Sequence, residues 1–247
     1  RLENKLSYLR FFYKQGLRCV TFTYYTSDLA DGSDGYVKNN GISALGKEMV
    51  AEMNRLGIII DMSHISAKSM SDILDITKAP VIFSHSNAKA LCNVSRNVPD
   101  DILLRLKANN GIIMLDMVPD HTSDAFVKWM RKGDSVYYTT KGKFPGDKEK
   151  LKEVMATWEA AVPRPVVTVK DVADHFDYVK KLIGVDHIGI GGDYDGLDYY
   201  IKGMEDVSCY PKLLVELAKR GWTTGALKKI TSENYLRVIA QVEQKAA

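Results

Sequence analysis

Residues 57–64 read GIIIDMSH and residues 80–85 read PVIFSH. Each is an aliphatic run closing on a histidine, in a chain that holds only five histidines. A strand with one face in water alternates apolar and polar side chains. These runs do not alternate, so they predict strands covered on both faces, as in a parallel sheet between layers. Three further stretches share the texture: RCVTFTY (18–24), GIIMLDM (111–117) and HIGIGGD (187–193). Helical spacing lies between them. Leu45, Met49, Met53 and Leu56 follow Ser43, and Val172, Phe176, Val179 and Ile183 follow the capping-box pattern from Thr168 to Asp171. Alternating strands and helices define an α/β class.

Polar residues mark the ends of these strands: Tyr24, His64, His85, Asp116 and Asp193. No strand–helix turn carries a dinucleotide fingerprint or a Walker loop, and the glycines of 189–192 run straight into an acid. Functional groups spread over the C-terminal ends of several strands are the habit of a (β/α)8 TIM-like barrel. Five strands are recognisable where such a barrel has eight. The expectation is therefore one barrel domain over 1–247, N-terminally incomplete, with its first strand or strands absent. Residues 118–167 interrupt the rhythm. They are charged, hold two of the three Trp, and include an amphipathic stretch near 148–161. After a strand, this is the place of a βα-loop excursion over the active face.

Composition narrows the function classes. The 247 residues are 45% hydrophobic and 26% charged with net charge +3, which gives no sign of a nucleic-acid stripe. The apolar runs fall far short of the roughly 20 residues of a membrane span. Cys19, Cys92 and Cys209 are widely spaced and read as buried thiols. Residue 1 is Arg, inside an apparent helix, so the compartment is left open.

Adjacent parallel strands lie about 4.8 Å apart. His64 and His85, at equivalent strand ends, would project side by side, within reach of one metal ion bound at about 2.0–2.1 Å. Two structural imidazoles are the other reading of the same pattern. His121, His175 and His187 read as a loop, a helix and a strand-start residue with no ligand role.

Several longer segments resemble the membrane (renal) dipeptidase family, zinc peptidases on a (β/α)8 barrel related to the amidohydrolases. They are EMNRLGIIIDMSHIS (52–66), APVIFSHSNAKALCNVSRNVPDDIL (79–103), VADHFDYVKKLIGVDHIGIGGDYDG (172–196) and ENYLRV (233–238). Leu9, Tyr13, Gly16, Leu17 and Arg18 match the second half of the family signature. The resemblance implies that His64 and His85 ligate one zinc of a two-zinc site. Arg96 then holds the substrate's free carboxylate, and Asp193 stands beside the metal-bridging hydroxide. Neutral imidazole suits zinc, and a guanidinium fork matches a carboxylate. An acid beside activated water can pass its proton to a leaving amine. Tyr24 falls where the mammalian branch has a histidine that binds the substrate carbonyl, and its phenol is a substitute donor.

The family's His-x-Asp pair and bridging glutamate have no counterpart in the chain. The remaining ligands are expected upstream of Arg1. The implied function is hydrolysis of dipeptides by the bridging hydroxide, with recognition of the C-terminal carboxylate; a homodimer is compatible with it. A related amidohydrolase acting on an N-acyl amino acid, lactam or lactone is the alternative within enzymes. A metal-free barrel relic serving as a binding module is the alternative outside them. Substrates with free and blocked C-termini separate the first two, and metal content separates the third.

Overall fold

The computed structural model describes residues 2–246. Its strands are β1 (Cys19–Thr21), β2 (Ile59–Asp61), β3 (Ile82–Phe83), β4 (Ile112–Asp116) and β5 (Ile188–Gly192). They form one all-parallel sheet in the order β1-β2-β3-β4-β5. Strictly sequential order is the arc of a β/α barrel, because a doubly wound sheet reverses its order at a switch point. The helices are α1 (Leu6–Lys14) before β1, then α2 (Ala44–Leu56), α3 (Ala67–Ile76) and α4 (Asp100–Ala108) in the first three crossovers. Four more, α5 (Pro119–Thr122), α6 (Asp124–Lys143), α7 (Lys148–Ala161) and α8 (Val169–Ile183), fill the crossover from β4 to β5. Last come α9 (Tyr210–Lys219), α10 (Thr224–Lys228) and α11 (Asn234–Lys245).

Both faces of the sheet are covered, which is why its runs do not alternate. Ile58, Ile60, Val81, Phe83, Ile113 and Leu115 join the main core with helix residues such as Met49, Met53, Ile73, Leu103 and Phe176. On the other face Ile59, Ile82 and Ile112 meet Val238 and Val242 of α11. Ser43 and Ser66 cap α2 and α3, and the capping box of Thr168 and Asp171 opens α8. Gly57 ends α2 in the left-handed region (φ 72°), a conformation that costs glycine no Cβ clash.

The strands are shorter than the aliphatic runs. Met62 N–H still donates to the Ile82 carbonyl (2.8 Å); beyond it and beyond Phe83, side chains take over the donors of Ser63, Ser84 and His85. The Asp61 carboxylate accepts from the backbone N–H of Ser63 (3.0 Å) and Ser84 (2.9 Å), and Ser63 Oγ accepts from His85 N–H (3.1 Å). Residues 118–167 form mainly helix rather than loop. α6 and α7 pack as a hairpin, with Trp129 Nε1 donating to the Val162 carbonyl at 2.9 Å. All three cysteines are free, but only Cys92 and Cys209 are buried; Cys19, on the first strand of the sheet, is half-buried. Among the described residues no helix is long and apolar enough to cross a membrane.

Candidate active site

The C-terminal ends of the strands open into a cleft of about 1280 Å³. His64, His85, Arg96, Asp193, Tyr24 and His121 line its floor and one wall, and the α6–α7 hairpin lines the other with Trp129, Tyr137 and Trp158. His64 follows β2 with φ 71°, and Asp193 follows β5 with φ 65°. Left-handed backbone is strained for a residue with a Cβ. Here two of the polar residues singled out in the sequence carry it, as strained residues at functional sites do.

The structure brings His64 and His85 together, Nε2 to Nε2 at 2.7 Å. Their tautomers follow from an acid the sequence reading passed over. Asp61 is buried and accepts Thr21 Oγ1 (2.7 Å) and Ser84 Oγ (2.6 Å) on one oxygen, and the Ser63 and Ser84 backbone on the other. Ser84 has a single hydroxyl proton and gives it to Asp61. It must therefore accept from His85 Nδ1, 2.7 Å away. His85 is thus an Nδ1–H tautomer with its Nε2 lone pair aimed at His64. Burial first, then the Arg96 and His85 charges, push His64 down to about 3, so it is neutral near pH 7. Two imidazoles with converging Nε2 atoms fit a metal ion. Bonds of about 2.0–2.1 Å would ask the nitrogens to open to roughly 3.3 Å. Among the described residues no third His, Cys, Asp or Glu joins them as a ligand group.

Gly191 makes the close approach of β5 possible. A Cβ there would stand 2.6 Å from the Met114 carbonyl oxygen and 2.7 Å from that of Ser84. Arg96 is buried in the loop between β3 and α4, where it donates from Nη2 to the His85 carbonyl (3.1 Å) and from Nη1 to Ser86 Oγ (3.5 Å). Among the described residues no carboxylate pairs with it. Asp100 instead accepts the Tyr178 hydroxyl at 2.5 Å. Burial raises the Asp193 carboxyl above its ordinary range, against the lowering charges of His85, His121 and Arg96. Tyr24 is exposed, and its ring lies 4.4 Å from the His64 ring, centroid to centroid.

Sequence reasoning missed Asp61, Ser84 and the pair Asp116–His121. His121 is not a free loop residue: it is buried on α5, and its Nδ1 lies 2.8 Å from Asp116 Oδ2. The signal was an acid ending each of the runs IIID (58–61) and IIMLD (112–116). His175 and His187 have structural partners. His175 Nδ1 accepts the Ala88 N–H (3.2 Å) and its Nε2 faces the Thr122 carbonyl (3.1 Å), while His187 Nδ1 faces the Gly111 carbonyl (2.8 Å).

A sequential parallel β/α arc thus sets paired imidazoles, a buried guanidinium and a half-buried acid around one cleft. Comparison with known proteins narrows the class. The whole chain, residues 1–247, matches the family described as Membrane dipeptidase (Peptidase family M19), and the chain belongs to that family. It is 39% identical over 249 residues to "Dipeptidase tcpJ" of Claviceps purpurea (strain 20.1), an alignment covering 100% of this chain and 50% of that one. It is 37% identical over 248 residues to "Dipeptidase aclJ" of Aspergillus oryzae, covering 100% and 50%. In three dimensions it is similar to the crystal structure of the probable dipeptidase PvdM from Pseudomonas aeruginosa, with TM-score 0.84 and 27% identity over 99% of this chain and 67% of that one. The fold is that of a TIM-like barrel. The chain spans about half the length of the curated relatives it matches.

Proposed function

We propose that the protein is a metal-dependent dipeptidase that anchors the free C-terminal carboxylate of its substrate on Arg96. One observation carries this reading: a buried guanidinium without an acid partner sits in the same cleft as the His64–His85 pair. A buried cation is costly unless an anion accompanies it, and a fork of two parallel N–H groups is shaped for a carboxylate. His64 and His85 hold the metal, which we take to be zinc as one ion of a two-ion site. A bound ion there supplies Lewis-acid activation of the scissile carbonyl and of water. Asp193 takes the proton of the attacking water on its carboxylate and returns it to the leaving amine. The Tyr24 hydroxyl donates to the carbonyl oxygen as charge builds on it. The α6–α7 hairpin lines the cleft with Trp129, Tyr137 and Trp158.

The test uses the full-length protein and three substrates: a dipeptide, the same dipeptide amidated at its C-terminus, and an N-acyl amino acid. Hydrolysis confined mainly to the free dipeptide, lost on chelation and restored by zinc, supports the reading. Equal cleavage of acid and amide, or preference for the N-acyl compound, replaces it with the broader amidohydrolase class.

A further inference from the structure

Asp116 closes β4 with no exposure to solvent. Its Oδ1 accepts from Asn87 Nδ2 (2.9 Å) and from the Val118 N–H (3.2 Å), and its Oδ2 faces His121 Nδ1 (2.8 Å). Burial alone would raise its pKa, but the charge and hydrogen bond of His121 outweigh that and hold it below the ordinary range. Burial likewise lowers His121, and the Asp116 charge outweighs it and holds the imidazole above its ordinary range. The contact between Nδ1 and Oδ2 fixes the ring, and the Asp116 charge favours its protonated form.

The backbone around the ring is pinned as well. Asn97 Nδ2, next to Arg96, donates to the His121 carbonyl at 2.7 Å and so ties the arginine loop to α5. His175 holds the following carbonyl, that of Thr122. With Nδ1 committed to Asp116, Nε2 is the free ring nitrogen, and among the described residues it has no partner. It is not enclosed either: the side chain keeps 11% of its surface and lines the same cleft as Arg96. An imidazole on a rigid mount, its cation favoured by Asp116, open on one atom toward the cleft that Arg96 also lines, is built to meet an anion. In the protonated form the Asp116 charge balances that of His121, so the local balance still leaves the single positive charge of Arg96 for a single carboxylate.

We propose that His121, held by Asp116, donates from Nε2 to the terminal carboxylate of the substrate beside Arg96 and so helps set the preference for a free C-terminus. The proposal rests on the dipeptidase reading above. The full-length wild type is first assayed on a dipeptide and its C-terminal amide. Inactivity on dipeptides, or no preference for the acid, sinks the dipeptidase reading itself before any variant is made.

Given that preference, His121→Gln should raise KM for the free dipeptide far more than it lowers kcat. The ratio of kcat/KM for acid over amide should fall by about 10- to 100-fold, the range expected for one charge-assisted hydrogen bond. In Asp116→Asn the amide oxygen must face the Val118 N–H and Asn87, so its NH2 meets Nδ1; His121 becomes a neutral Nε2–H donor without the charge that favours the imidazolium, and the ratio should move in the same direction by less. Metal content should match the wild type in both. An unchanged ratio in His121→Gln overturns the proposal while leaving the dipeptidase reading intact. Equal losses on acid and amide also overturn it, because they are the mark of a purely structural residue. If His121→Gln does not fold, Asp116→Asn decides by the same ratio.

Discussion

Asp61→Asn is a change of one atom, and the structure says what it should do to a residue two bonds removed. One oxygen of Asp61 faces two backbone N–H groups, which cannot turn; the other faces the hydroxyls of Thr21 and Ser84, which can. The asparagine amide must therefore place its oxygen toward the backbone and its NH2 toward the hydroxyls. Ser84 then accepts from the new amide, and its own proton is released toward His85 Nδ1, 2.7 Å away. That forces His85 into the Nε2–H tautomer, with no lone pair for a metal. Recovering the ligating tautomer costs one hydrogen bond, about 1 kcal/mol, or a factor near five in affinity. Loss of such an outer partner has a ceiling near 100-fold.

The expected result is thus a roughly 5- to 100-fold weaker metal affinity by chelator competition in the full-length protein. The melting temperature should drop by no more than about 10 °C, from about 1–3 kcal/mol of lost hydrogen bonding. Nitrogen chemical shifts of the metal-free protein should report the changed His85 tautomer. A folded Asp61→Asn that binds metal within about twofold of the wild type, with His85 still protonated at Nδ1, would refute the relay. Ser84→Ala, which strips His85 Nδ1 of its acceptor, should weaken metal binding in the same direction.

Arg96→Lys keeps the charge and loses the planar fork, so kcat/KM on free dipeptides should fall about 10- to 150-fold while the C-terminal amide loses little further; a normal rate on dipeptides removes Arg96 from carboxylate binding. Gly191→Ala should cost about 2–4 kcal/mol by chemical denaturation, because its Cβ meets two carbonyl oxygens at 2.6 and 2.7 Å, and a neutral effect would mean that β5 lies farther from β3 and β4 than described. Glu52 joins α1 to α2 by accepting from Arg55 Nη2 (2.7 Å) and Arg10 Nε (2.6 Å), and the Arg55 bond first, with Arg10 added and burial opposing, lowers its pKa from 4.5 to about 2. A lowered carboxyl contributes stability that is fully present above about pH 4.5 and is lost as pH falls toward 2. Melting curves of wild type and Glu52→Gln should therefore differ at pH 6 and converge toward pH 3; a constant gap would show that the charge is not the cause.

The five strands and their parallel order were legible because they depend on a pattern: unbroken aliphatic runs, each followed by helical spacing. The pattern reports burial of both faces, and the two apolar clusters on either side of Ile58–Ile60 are that burial. Strand length was not legible. GIIIDMSH looks like one extended segment, yet only Ile59–Asp61 pairs, because Asp61 and Ser63 take the following N–H groups with side-chain oxygens and His64 turns left-handed. Nothing in residue type announces that a hydroxyl will replace a ladder carbonyl.

The strand-end histidines were readable as a pair, but the groups that orient them were not, and the reason is energetic. Asp61 and Asp116 each end an aliphatic run, in a place where a carboxylate is expensive to bury unless several donors meet it. That cost is itself a signal. An acid closing a two-face-buried strand must be surrounded by donors, and the nearest ones in the chain are Ser63 and Ser84 in one case and Asn87 and His121 in the other. In both cases a histidine is the outermost member of the set, reaching the cleft through a hydrogen bond that ends on a buried aspartate. Two strand ends of one sheet have thus arrived at the same device, an acid hidden below and an imidazole nitrogen presented above. The difference lies in what stands between them. The Ser84 hydroxyl passes no charge and leaves the His85 Nε2 lone pair toward the cleft. The direct contact of Asp116 with His121 favours the cation. Asp61→Asn and His121→Gln test the two halves of that contrast separately, the first by metal affinity and the second by the choice between acid and amide.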